Sequence, residues 1–157
     1  MTRRCGRAQR GQRFHASTPC GYRQTTTMLA SIRLDGSTAC MTMEGATDTE
    51  VFQSYVREVL CPTLRQGDLV VMDNLSPHKH EPTLQLIEQT GAAVRFLPAY
   101  SPDLNPIEKM WSKVKQFLRS AEARTAEELQ RAIAAALACV TAQDAINWFA
   151  SCGYSFI

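Results

Sequence analysis

Two acidic residues stand where carboxylates can do chemistry. Asp73 ends the run Asp68-Leu69-Val70-Val71-Met72-Asp73, which reads as a short buried strand. Ligands of open α/β sheets gather outside such strand ends. Glu108 falls in the first turn of a helix opened by Asn105 and Pro106, a favoured cap and a favoured first helical residue. Each position has a plainer use. Asp73 suits a turn before Asn74, and the helix dipole favours any carboxylate in a first turn. Taken singly, both are more often structural than reactive.

The surrounding elements follow from periodicity. Thr25–Arg33 and Thr38–Met43 flank Asp35-Gly36, the pattern of a β-hairpin. Thr47 with Glu50 reads as a capping box for a helix carrying Val51, Phe52, Tyr55, Val56, Val59 and Leu60, which Pro62 closes or bends. A helix over Glu81–Thr90 ends at Gly91, and Ala93–Leu97 is a further strand. Ile107, Met110, Trp111, Val114 and Leu118 form the stripe of the helix that bears Glu108. Thr125 with Glu128 caps another helix, and a last one covers about Ala142–Ala150. Trp111 and Trp148 read as core, and Asp103 as a turn residue capping backbone amides. The order predicts one α/β domain over residues 1–157, with a mixed sheet flanked by helices.

Composition sets limits. The hydrophobic share is 45%, and no apolar run approaches the roughly 20 residues of a membrane helix. We therefore expect no membrane partner. None of the six cysteines forms a C-x-x-C pair, so they read as reduced thiols. Net charge is +2, but residues 1–34 hold Arg3, Arg4, Arg7, Arg10, Arg13, Arg23 and Arg33 and no acidic residue. Such a stretch suits phosphates or is a solvated basic tail. Residues 1–23 are otherwise irregular, with at most a short strand around Arg13–Ser17.

The segment Val71-Met72-Asp73-Asn74-Leu75-Ser76-Pro77-His78-Lys79 resembles the second-aspartate motif of DDE transposases, a strand followed by D-N-x-x-x-H. Phe96-Leu97-Pro98-Ala99-Tyr100-Ser101-Pro102-Asp103-Leu104-Asn105-Pro106-Ile107-Glu108 resembles the loop and helix start carrying their third carboxylate. The 34 residues between Asp73 and Glu108 match the spacing of mariner-related bacterial insertion-sequence transposases. The resemblance implies an RNase H-like fold and metal-dependent cleavage and transfer of DNA strands at element ends. Asp73 and Glu108 would be catalytic metal ligands for Mg²⁺ or Mn²⁺, with Asn74 and His78 beside the site. Arg3, Arg4, Arg7, Arg10 and Arg13 are the candidate DNA contacts. It also implies a bacterial cytoplasmic protein, at the nucleoid when bound to DNA, that partners DNA and further copies of itself or a full-length transposase. The family's first aspartate should precede the arginine-rich opening, on a strand these residues do not contain. That strand's absence from the sequence leads us to expect two carboxylates where three are needed. The polypeptide alone would then be inactive, and the alternative is a remnant that only binds DNA or a full-length transposase.

Overall fold

The computed structural model describes residues 7–13, 15 and 25–155. Strands β1 (Thr26–Ile32) and β2 (Thr38–Glu44) form the expected antiparallel hairpin, with Ala30 opposite Cys40. Its loop closes through Gly36 N–H to Arg33 O at 3.0 Å and Arg33 N–H to Ser37 O at 2.9 Å. Gly36 takes φ +84, which other residues adopt only with strain.

Helix α1 (Thr49–Tyr55) starts one residue later than the sequence suggests. Asp48, not Thr47, is its cap, accepting from Val51 N–H at 2.8 Å. Glu50 is then too early in the turn to close a capping box, and Thr47 Oγ1 is buried without a partner. Past Tyr55 the helix widens into a π turn over Val56–Leu60 and then tightens over Cys61–Thr63. Pro62 explains the change. It has no N–H for the carbonyl four residues back, so the ladder cannot continue.

Strands β3 (Leu69–Met72) and β4 (Ala93–Phe96) are parallel, joined through α2 (Glu81–Glu88). Three helices follow: α3 (Pro106–Ala121), α4 (Ala126–Ala138) and α5 (Ala142–Ser151). The capping box of Thr125 and Glu128 forms as expected, and Thr141 with Asp144 makes a second. Asn105 occupies the cap of α3 without using its side chain, and Asp103 caps no amide among the described residues. Arg13 and His15 carry no strand, and Phe14, Ala16 and Ser17 lie outside the described residues. No single helix among the described residues is long and apolar enough to cross a membrane.

The result is the mixed α/β, helix-flanked organisation expected of an RNase H-like domain. Among the described residues four strands form two two-stranded sheets, β1–β2 and β3–β4. The alternation of β1 shows how they are covered. Leu29 packs on the cluster around Phe52, Tyr55 and Val56 of the first helix, while Met28, Ala30 and Ile32 pack on the cluster around Met110 and Val114 of α3. Met110 and Val114 are fully buried, each stabilising by about 2 kcal/mol. Trp111 and Trp148 pack against that second cluster as half-buried side chains.

Two ion pairs hold these layers in register. Lys113 Nζ of α3 lies 2.6 Å from Asp144 Oδ2 of α5. Arg33, just past β1, grips Asp68, just before β3, through two hydrogen bonds of 2.7 and 2.9 Å. The guanidinium, with the Arg65 amide, holds the Asp68 carboxyl down at about 2. The unfolded carboxyl titrates near 3.8. Stability from this pair is therefore complete above that value and lost as pH falls towards 2. Asp68→Asn should remove about 1 kcal/mol at neutral pH, after allowance for solvent screening. It should also flatten the stability–pH curve between pH 4 and 2, leaving the share from Asp144. Urea midpoints across that range measure it, and an unchanged curve would show the pair to be without effect.

Candidate active site

Asp73 is the first residue beyond β3, half-exposed, in a backbone that leaves the sheet. Its Oδ1 accepts from Leu75 N–H at 3.2 Å, and His78 Nδ1 approaches the same oxygen at 2.7 Å. That nitrogen is buried and reaches hydrogen-bonding geometry with no group, so the approach is an electrostatic contact that a small ring rotation would turn into a hydrogen bond. Phe52 fixes the ring from the other side, centroid to centroid 4.3 Å. Oδ2 of Asp73 has no partner among the described residues.

The second carboxylate arrives from the loop after β4. Leu97 N–H donates to Met72 O at 2.8 Å, one step past the β3–β4 ladder. Asn74 Nδ2 then donates to Leu97 O at 2.6 Å, clamping the two strand ends together. Asn74 is thus a brace beside Asp73. Pro98 stops further pairing, and a tight turn over Pro102–Leu104 leads into α3 with Pro106 as its first residue. Glu108 follows in that first turn, exposed, its N–H donating to Asn105 O at 3.2 Å and its carboxylate making no hydrogen bond or ion pair among the described residues. Tyr154 donates its hydroxyl to Leu104 O at 3.1 Å and stacks edge-on with Phe149. The end of the chain therefore braces the loop that delivers Glu108.

Asp73, His78 and Glu108 line one cavity of about 730 Å³. Two carboxylates with free oxygens are hard donors suited to Mg²⁺ or Mn²⁺, which keep several waters. The donor set is short. Among the described residues no group of three or more His, Cys, Asp or Glu side chains could hold a metal ion. A cysteine nucleophile is not offered instead. Burial pushes the Cys40 thiol up to about 11 and raises that of Cys61, which keeps both protonated.

A family model described as DDE superfamily endonuclease matches residues 1–130. The chain belongs to that family. A 57-residue stretch is also 40% identical to human Histone-lysine N-methyltransferase SETMAR. That match covers 36% of this chain and 8% of the human protein, so the activity in its name does not carry over. The DDE domain is thereby placed among endonucleases that act on DNA and generally use divalent metal ions.

Of the arginines expected on DNA, Arg7, Arg10 and Arg13 are exposed, and Arg3 and Arg4 lie outside the described residues. Three contributors escaped the sequence reading. Tyr154 and Phe149 form a brace between segments about 50 residues apart in sequence, which no local pattern reports. Tyr100 stands fully exposed in the loop before α3, with φ 58. A bulky residue held in that left-handed region is a strain that functional loops often keep.

Proposed function

We propose that this DDE domain acts in DNA transposition, cutting and joining DNA strands at the ends of a mobile element in a divalent-metal-dependent reaction. The observation that carries this reading is the convergence of Asp73 and Glu108 on one cavity from a strand end and a helix start. Both would be metal ligands. Two ions roughly 3.5–4 Å apart, when bound, stabilise the attacking and leaving oxygens of the phosphodiester. The chain's own residues do the rest. His78 and the Leu75 amide orient Asp73, Asn74 ties its backbone to β4, and Tyr154 holds the loop before Glu108. Tyr100 offers an exposed ring on which an unpaired base could stack, an interaction of about 1–3 kcal/mol.

Mn²⁺ binding followed by electron paramagnetic resonance tests the ligand assignment. The chain should hold one ion weakly, and Asp73→Asn or Glu108→Gln should each weaken that binding markedly. Binding indifferent to both changes would refute the site.

A second reading is favoured by the short donor set and the exposed arginines: a domain that binds DNA, or a full-length transposase, without cleaving. Cationic contacts release counterions, so binding through Arg7, Arg10 and Arg13 should weaken steeply with salt. Replacing the three with Ala should lower the slope of log affinity against log salt by about 2–3. An unchanged slope would mark the segment as a solvated tail.

A further inference from the structure

Two large apolar side chains stand in solvent on either side of the clamp that ties the end of β3 to the end of β4. Leu75 is 57% exposed and Tyr100 is fully exposed. Leu75 follows Asn74, whose side chain makes the clamp, and Tyr100 lies three residues past Leu97, whose carbonyl accepts it. Three steps of chain span at most about 11 Å, so both residues are rooted close to Asp73. Neither root is loose. Leu75 N–H donates to Asp73 Oδ1 at 3.2 Å, and Leu75 O accepts from His78 N–H at 3.0 Å. Tyr100 sits between Pro98 and Pro102, each of which fixes its own φ. The far end of its loop is held by Tyr154 at Leu104 O.

Packing within the chain explains neither residue. Leu75 leaves most of its apolar surface in water, and the Tyr100 ring makes no hydrogen bond or ring contact among the described residues. The backbone of Tyr100 is also held at φ 58, a region that a side chain with a Cβ disfavours. Glu122 is the other such residue, and it ends α3, where a left-handed residue is the usual terminator. Tyr100 terminates no helix. Its strain therefore serves something outside the described chain, and for a DDE superfamily endonuclease the ligand is DNA. A paired duplex hides its base faces, so a flat ring and a branched aliphatic side chain find a counterpart only where the stack is open. Aliphatic side chains part base steps, and aromatic rings take the face of a base so released.

We propose that Leu75 and Tyr100 act as a wedge and a platform that select DNA opened at the cleavage position, Leu75 entering the base step and Tyr100 stacking on the base it frees. The proposal takes its location from the reading of Asp73 and Glu108 as the cutting site. It goes beyond that reading in naming the preferred substrate, a strand with an unpaired base beside the scissile phosphate. Opening a paired step costs free energy, and a base that is already unpaired spares the protein that cost. Stiffness serves the same end. A tyrosine has few rotatable bonds, and a loop pinned at both ends has little freedom left to lose when a base stacks on it.

The test uses the full 157-residue chain in EDTA, so that nothing is cut and no metal ligand takes part. Its probes are a short paired duplex and the same duplex carrying one unpaired 2-aminopurine at its centre. The second should bind at least about tenfold more tightly, with the probe's fluorescence quenched by stacking. Tyr100→Gly removes the ring and suits the left-handed backbone. It should raise the urea midpoint yet abolish the quenching and most of the preference, whereas Tyr100→Phe should keep both. Leu75→Ala should reduce the preference and leave the quenching. Equal binding of the two duplexes, or binding of neither, would overturn the proposal. So would a preference indifferent to either Tyr100→Gly or Leu75→Ala. A lower urea midpoint for Tyr100→Gly would make the ring a structural part and overturn it as well. The Mn²⁺ experiment fails separately: equal binding here leaves Asp73 and Glu108 as ligands, and a lost ligand assignment leaves the base preference to be read.

Discussion

Given a third carboxylate beside Asp73 and Glu108, the DDE domain should nick DNA in Mn²⁺, and Asp73→Asn or Glu108→Gln should then slow it by about a thousandfold. The third group would come on a fused amino-terminal segment carrying the aspartate that the family resemblance implies. The size of the loss follows from what is removed. An ion at a scissile phosphate supplies several kcal/mol of transition-state charge stabilisation, and about 4 kcal/mol corresponds to about three orders of magnitude in rate. The two substitutions should not add, because ligands of one ion pair act as a unit. The double variant should be about as slow as either single one. The 157 residues by themselves should nick supercoiled plasmid little or not at all. Clean Mn²⁺-dependent nicking by that chain, surviving Asp73→Asn, would place the chemistry in other residues and defeat the account.

His78 sharpens the same experiment. Its ring is wedged between Phe52 and Asp73 and is mostly buried. In the proposed site it would act through Asp73, whose Oδ1 it approaches at 2.7 Å. His78→Gln should weaken Mn²⁺ binding less than Asp73→Asn does, while leaving the fold intact, since glutamine keeps a polar atom for the carboxylate.

What the sequence made legible was whatever is written locally. Element order, the hairpin around Asp35-Gly36 and the capping box at Thr125 and Glu128 are all spelled by neighbouring residues, and the structure contains them. The positions of Asp73 just past a strand and Glu108 in a first helical turn were legible for another reason: a strand start and a helix start are marked by Gly67 and Pro106. Thr47 misled because Thr-x-x-Glu satisfies the capping pattern while Asp48, a stronger cap, sits one residue on. The Arg33–Asp68 grip, the Asn74 clamp and the Tyr154 brace join residues 20 to 50 positions apart. Only the tertiary fold decides such pairs. That the described strands pair as β1–β2 and β3–β4 was illegible for the same reason, since a strand's pattern shows which faces are buried and not which edges are paired.

Gly36→Ala should destabilise the domain by about 2–4 kcal/mol, well beyond the ordinary strain of a left-handed alanine. The turn tip at Gly36 lies against the start of α5. A Cβ there would sit 2.7 Å from Ala142 N, 2.8 Å from Thr141 C and 2.9 Å from Ala142 Cα, all backbone atoms. None can swing aside as a side chain would, so either the hairpin or the helix must move. Moving the helix disturbs the Thr141–Asp144 capping box and with it the Lys113–Asp144 pair that fixes α3. Gly45 supplies the control. Its φ is +91, yet nothing lies within 4 Å of the position its Cβ would take. Gly45→Ala should therefore show strain alone, about 1 kcal/mol, and the excess at Gly36 measures the packing of the turn on α5. Because α3 carries Glu108, the Gly36 variant should also weaken Mn²⁺ binding under conditions where it remains folded, and the Gly45 variant should not. Urea unfolding of both variants decides the first point. Equal losses at the two glycines would show that the hairpin tip does not bear on α5 in solution.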